Sequence, residues 1–187
     1  MNIILASASP RRKELMEKIG LPFEVIVSDC DETLPDDTPA AKAAELLSMR
    51  KAEAVAKEHP DAVVIGADTT VLHGDTVLGK PKDREDCVRM LTLLSGDTHR
   101  VQTGCTVICG EQRISFTEET LVTFYPLTDA EIAAYADSDE PYDKAGAYGI
   151  QGRGGLLIEG IHGDYYNVVG LPVARLAREL RKFCANG

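Results

Sequence analysis

The residues best suited to chemistry start at Ser7, in the segment Ser7-Ala8-Ser9-Pro10-Arg11-Arg12. The apolar run before it, Ile3-Ile4-Leu5-Ala6, reads as a buried strand. Ser9 suits a helix N-cap and Pro10 the first helical position; Leu15, Met16 and Ile19 supply an apolar face, and Gly20 a stop. Two arginines thus fall in the first turn of a helix. Backbone N–H groups there attract anions, and the helix dipole disfavours cations. The placement is costly unless an anion sits between them, and guanidinium forks match phosphate oxygens. An Arg-Arg pair alone reads as a solvated surface pair; with the Ser-x-Ser-Pro turn attached it reads as a phosphate site.

Three further segments carry candidate chemistry. Asp68 follows the short β-branched run Ala62–Gly66. Open α/β sheets bind ligands just past such strand ends, where a carboxylate could reach a cation or a water. It could equally cap its own turn. Gly79-Lys80-Pro81-Lys82 sets two lysines on a stiff turn. With Gly74 it approaches the P-loop pattern, but Pro81 stands where the metal-binding hydroxyl belongs and the flanks are strand-like, so a P-loop is rejected. Lys80 and Lys82 could still hold phosphate as point charges, or simply form a solvated turn. In the run Asp143 to Gly152, close-spaced glycines permit near approach of the backbone or positive φ. Gln151 there has an amide able to pair with one edge of a base; a flexible glycine loop is the alternative. Gly152-Arg153-Gly154-Gly155 lacks the strand–turn–helix setting of a dinucleotide fingerprint.

The elements that must position these groups alternate. A strand is expected at Phe23–Val27, ending in the acidic turn Ser28 to Thr33. Thr38-Pro39 should cap a long alanine-rich helix ending near His59. A hairpin is expected around His73-Gly74-Asp75-Thr76, and a helix from Asp83 with Val88, Met90, Leu91 and Leu94 on its apolar face. Arg100–Cys109 and Arg113–Tyr125 read as long antiparallel strands, Thr128-Asp129-Ala130-Glu131 as a capping box, Leu156–Glu159 as a strand and Pro172–Phe183 as the last helix. The fold class is therefore α/β with a mixed sheet.

The 187 residues suit one large domain, or a two-lobed domain with a continuous sheet. Net charge is −10, from 30 acidic and 20 basic side chains, which argues against general nucleic-acid binding but not against a small phosphorylated ligand. No apolar run approaches the roughly 18 residues of a membrane span, and the start lacks a signal-peptide pattern, so a soluble cytoplasmic protein is expected. The 5 cysteines, Cys30, Cys87, Cys105, Cys109 and Cys184, show no disulfide framework and are expected to be reduced thiols. No zinc spacing occurs among the 4 histidines.

Taken in order, these segments resemble the Maf family of nucleotide pyrophosphatases. The match also includes Lys51-Ala52, Leu94-Ser95-Gly96 and Val169-Gly170-Leu171-Pro172, so it spans nearly the whole chain. One departure is Arg50, where the family often has Glu. The resemblance implies a single domain over residues 1–187, with a mixed, strongly twisted sheet, flanking helices and two lobes around a central cleft, as in inosine-triphosphate pyrophosphatases. It implies a cytoplasmic enzyme cleaving nucleoside triphosphates to the monophosphate and pyrophosphate, and a homodimer. Pro10, Thr69 and Ile150-Gln151-Gly152 look like the branch acting on dTTP and UTP, with modified pyrimidine nucleotides as further substrates; a sister branch acts on 7-methyl-GTP.

On that resemblance Asp68 is the general base, and Glu32 and Asp68 would hold Mg²⁺ or Mn²⁺. Because an ionised Asp beside a cation is a weak base, Asp68 would chiefly orient a water. Arg12, Lys51, Lys80 and Lys82 would neutralise the triphosphate, Ser7 and Ser9 would donate hydrogen bonds, and Arg11, Thr69 and Gln151 match specificity positions. Two rivals stand beside this reading: a nucleotide-binding regulator of cell division without significant turnover, and a phosphatase releasing orthophosphate. An amide at Gln151 can donate to a carbonyl and accept from N3–H of uracil or thymine, which cytosine cannot match. Gln151→Ala is expected to cut the ratio of kcat/KM for UTP over CTP by about tenfold or more; an unchanged ratio removes Gln151 from base selection.

Overall fold

The computed structural model describes residues 2–35 and 37–185. Strand β1 (Ile3–Leu5) leads into helix α1 (Pro10–Glu17), β2 (Glu24–Val25) and, after a 3-10 turn at Ala40–Lys42, helix α2 (Ala43–Ala56). Next come β3 (Val63–His73), β4 (Thr76–Leu78), α3 (Arg84–Leu94), β5 (Thr98–Cys109), β6 (Gln112–Phe124) and α4 (Asp129–Ala136). Three 3-10 turns between Pro141 and Leu157 precede β7 (Ile158–His162), α5 (Tyr165–Val169) and α6 (Val173–Ala185). The seven strands form one sheet in the order β2-β1-β3-β5-β6-β7, with β4 paired to β3. β1 runs parallel to β2 and β3, whereas β3/β4 and β6/β7 are antiparallel, so the sheet is mixed as expected.

Local signals act as their chemistry predicts. Ser9 accepts from the Arg12 N–H at 3.4 Å, with Pro10 at the first helical position. Asp83 accepts from the Asp86 N–H at 2.8 Å and opens α3. Thr128 and Glu131 form the full capping box of α4. The β3/β4 hairpin pairs His73 with Thr76 around Gly74, whose φ is +59°.

Several expectations change. The chain around Phe23–Val27 forms only a two-residue strand. Thr38-Pro39 does not cap α2; the 3-10 turn intervenes and α2 starts at Ala43 without a side-chain cap. Leu156 and Leu157 lie in a 3-10 turn, so β7 begins at Ile158, and α5 is an additional helix. The hairpin strand and the buried strand before it are one: β3 runs 11 residues. Asp68 therefore lies inside β3, not past its end. β1 stays paired to β3 only as far as Leu5 with Ile65.

The chain divides into two compact units. The first comprises residues up to Thr69, Thr103–Glu118 and the chain from Gly170. Its core includes Ile4, Ala6, Ala52, Val55, Ala62, Val64 and Ile108. Val63, Val64 and Ile65 are fully buried, as suits a strand covered on both faces. The second unit comprises Thr70–Gln102 and Glu119–Val169. Its core gathers α3 (Cys87, Met90, Leu91, Leu94), β6 (Val122, Phe124) and α4 (Ile132, Tyr135) around Tyr148 and Leu157. Cys30, Cys87, Cys105 and Cys109 are free thiols, and burial pushes Cys105 up to about 12; the Cys184 side chain lies outside the described residues. Among the described residues, no helix is long and apolar enough to cross a membrane.

His99 lies within the second core, 1% exposed. Its ring meets Phe124 and Tyr148 edge-on at 5.1 and 5.4 Å, and Nε2 is 2.8 Å from the Tyr148 hydroxyl. Nδ1 is buried without a hydrogen-bond partner. Burial holds the imidazole down at about 4 from its usual 6.5. Between those values the unfolded chain binds a proton that the native state refuses, so stability falls as pH falls from 6.5 to 4. The loss is expected to reach about 3 kcal/mol at the acid end. Urea unfolding at pH 7 and pH 4.5 tests it: His99→Asn should show a smaller pH-dependent loss than the parent, and equal losses would refute the assignment.

Candidate active site

In the first unit, the site depends on how closely α2 lies against the sheet. A Cβ on Gly66 would fall 2.2 Å from the Ser48 carbonyl oxygen and 2.7 Å from the Ala52 nitrogen. A Cβ on Gly104 of β5 would fall 2.3 Å from the Ala44 carbonyl oxygen. Glycine at both places lets the helix backbone touch the strands. Gly66 and Asp68 share a face of β3, because side chains alternate along a strand. Lys51 directly precedes Ala52 on α2. Close docking at Gly66 therefore brings Lys51 to Asp68.

The Lys51 ammonium lies 2.6 Å from Asp68 Oδ1 and 3.2 Å from Glu32 Oε2. Lys51 and Asp68 are each only 9% exposed, while Glu32 reaches in from an exposed loop. Two carboxylates thus serve one cation at the edge of a buried region.

Beside them stands Arg12. Its Nε donates to the Gly170 carbonyl at 2.9 Å, Nη1 to Ser7 Oγ at 3.3 Å and Nη2 to Thr69 Oγ1 at 3.1 Å. Thr69 in turn shares a hydrogen bond with Thr103 at 2.9 Å. These partners are neutral oxygens, which aim the guanidinium without cancelling its charge. Burial lowers the Arg12 pKa and Asp68 opposes the shift; a guanidinium stays protonated at neutral pH regardless. Ser7 Oγ also accepts from the Ser9 N–H at 3.3 Å. Both serines therefore first position α1 and Arg12, and an accepting hydroxyl still has its own hydrogen to donate. Arg11 is half-buried in the same turn.

Lys80, Lys82 and Gln151 belong to the second unit and are exposed. There the Gly146 N–H donates to the Gly79 carbonyl at 3.0 Å, tying the glycine-rich segment to the Gly79-Lys80-Pro81 turn. Glycine is required at 146: φ is +73°, and a Cβ would meet Val71 Cγ1 at 2.8 Å. The segment is not a loose glycine loop. The Glu140 carboxylate accepts from the Arg153 N–H and the Gly154 N–H, both at 2.9 Å, and from the Tyr135 hydroxyl at 2.8 Å. Those hydrogen bonds outweigh burial and hold the Glu140 carboxyl below its usual range. Glu140 and Tyr135 position the Gln151 segment, and sequence reasoning missed both. Neither has a spacing signal, since two 3-10 turns separate them from the glycine-rich backbone that they hold. The Gly170 carbonyl has no side-chain signal either, although it lies in the Val169-Gly170-Leu171-Pro172 segment.

Among the described residues, no group of three or more His, Cys, Asp or Glu side chains is placed to hold a metal. Mg²⁺ needs no such cage: it keeps waters and takes one or two carboxylates plus substrate phosphate oxygens. Glu32 and Asp68 provide two hard oxygen donors already serving one positive charge, so the residues fit a cation bound together with substrate.

Residues 2–183 match the family described as Maf-like protein. The chain is 50% identical to a dTTP/UTP pyrophosphatase of Bacillus cereus over 97% of its length and 95% of the relative's. It is 51% identical to that of Bacillus cytotoxicus over 96% and 94%. Among solved structures, a HAM1 protein from Coxiella burnetii superposes with a TM-score of 0.54 at 10% identity, covering 97% of this chain and 99% of that one; the likeness concerns the fold.

Gly66→Ala must separate α2 from β3 or distort both. It is expected to cost about 3 kcal/mol or more, with hydrolytic activity falling alongside. Thermal unfolding measures the first effect; a variant as stable as the parent would show that the helix contact is not what holds Lys51 at Asp68.

Proposed function

The chain belongs to the Maf family, and on that premise we infer that it is a dTTP/UTP pyrophosphatase, hydrolysing these nucleotides to the monophosphate and pyrophosphate. The observation that carries the reading is the Lys51 ammonium shared by Asp68 and Glu32, with Arg12 beside it. A module that only bound triphosphate would gain little from two carboxylates next to its phosphate-binding cations.

Water attacks the α-phosphorus; an O–P bond forms, and the bond to the β-phosphate oxygen breaks as pyrophosphate leaves. The substrate carries about four negative charges, so the site must neutralise charge and hold the water in line. Arg12 and Lys51 serve the first need, and Lys80 and Lys82 are proposed as further cations for the triphosphate. Ser7 and Ser9 donate to phosphate oxygens. A carboxylate offers about four acceptor sites, so Asp68 can serve Lys51 and also orient the water and take its proton. Glu32 and Asp68 would hold a divalent cation, which when bound neutralises phosphate oxygens and acidifies water. Arg11, Thr69 and Gln151 are assigned to base selection by their match to the family pattern. A cytoplasmic location is proposed, in keeping with the free thiols.

The deciding experiment is product analysis with dTTP, UTP, CTP and 7-methyl-GTP, with and without Mg²⁺. Pyrophosphate and monophosphate are expected from dTTP and UTP only when Mg²⁺ is present, and Asp68→Asn should lower the rate at least about a hundredfold. Orthophosphate as the product, or tight binding without turnover, would overturn the assignment.

A further inference from the structure

Residues 28–35, which carry Glu32, contain no helix or strand, and Asp31, Glu32 and Thr33 are all exposed. An exposed loop must lose conformational freedom before its side chain can act at a fixed point. The ion pair of Glu32 with Lys51 does not suffice for this. The Glu32 side chain is 59% exposed, and solvent-screened pairs hold little. Within the loop, the Thr33 N–H donates to Asp31 Oδ1 at 2.8 Å in a turn around Glu32, and the Cys30 thiol lies 4.0 Å from Ser28 Oγ.

A further restraint, from outside the loop, comes from Arg50. Its Nη1 donates to the Asp31 carbonyl at 3.1 Å and to the Thr33 carbonyl at 2.6 Å. These are the backbone carbonyls of the residues before and after Glu32. Arg50 and Lys51 are neighbours on α2, so one helical turn grips the backbone on both sides of Glu32 and its carboxylate as well. A guanidinium nitrogen carries two hydrogens in a fixed plane and can serve two carbonyls at once. A carboxylate at this position has no hydrogen to give.

We propose that Arg50 is a positioning residue that presents Glu32 to the cation site. The inference rests on Glu32 acting in the pyrophosphatase reaction. Hydrogen exchange of the amides of residues 30–34, and titration with Mn²⁺ alone, test it without turnover. Hydrolysis of dTTP across a range of Mg²⁺ concentrations then tests its consequence. In Arg50→Ala, exchange at the Thr33 amide is expected to rise about tenfold with global stability nearly unchanged. The Mn²⁺ Kd and the Mg²⁺ concentration for half-maximal rate should rise about fivefold, with KM for dTTP at saturating Mg²⁺ within about twofold. Arg50→Lys should recover part of each change, and Arg50→Glu none. Unchanged loop exchange in Arg50→Ala would overturn the proposal, as would faster exchange with unchanged Mn²⁺ affinity. Absence of pyrophosphate release by the parent protein would overturn the function instead, and the exchange measurement would still stand.

Discussion

Placing Lys51 and Asp68 together in a region nearly closed to water is the constraint on which the rest of the site depends. Desolvating either charge alone costs several kcal/mol, and only a close partner offsets it. The 2.6 Å contact provides that partner, and it exists because α2 can press its backbone onto β3 at Gly66. The same approach delivers the neighbouring residues of α2 to the loop that carries Glu32. A single helix–strand contact thus sets the position of one cation and two carboxylates.

Arg12 shows a complementary solution. Its guanidinium is fixed by a carbonyl and two hydroxyls, from Gly170, Ser7 and Thr69. Each is a neutral dipole, so orientation is gained while the positive charge remains for an incoming phosphate. A protein of net charge −10 repels anions at long range, and screening confines that repulsion to about a Debye length. Within the site, aimed cations in a partly dry setting outweigh the distant field. The second unit relies on hydrogen bonds to a carboxylate: Glu140 pins the segment holding Gln151, and the glycines there make room for Glu140 and Tyr135.

What was legible in the sequence is what depends on few neighbouring residues. The caps at Ser9, Asp83 and Thr128 are hydrogen bonds spanning three residues, and the turn at Gly74 needs one glycine. The ordered motifs placed Arg12, Lys51, Asp68 and Thr69 among the candidates, and the structure gathers all four in the first unit. Where a strand stops is different. Asp68 looks like a residue after a short strand because Gly66 and Ala67 interrupt the β-branched run. β3 nevertheless continues to His73, with β4 paired along its far end.

By itself, then, the sequence determined the kinds of group available, the side-chain caps that open α1, α3 and α4, and the alternation that makes the sheet mixed. Tertiary structure alone decided which charges meet. Asp68 finds Lys51 from 17 positions away, and Arg12 finds the Gly170 carbonyl from 158. Contacts at such separations follow from how helices and strands pack, and packing is settled by shape over many residues at once. A glycine without a Cβ under α2 is one such shape, and its consequence becomes visible only when the helix lies upon it.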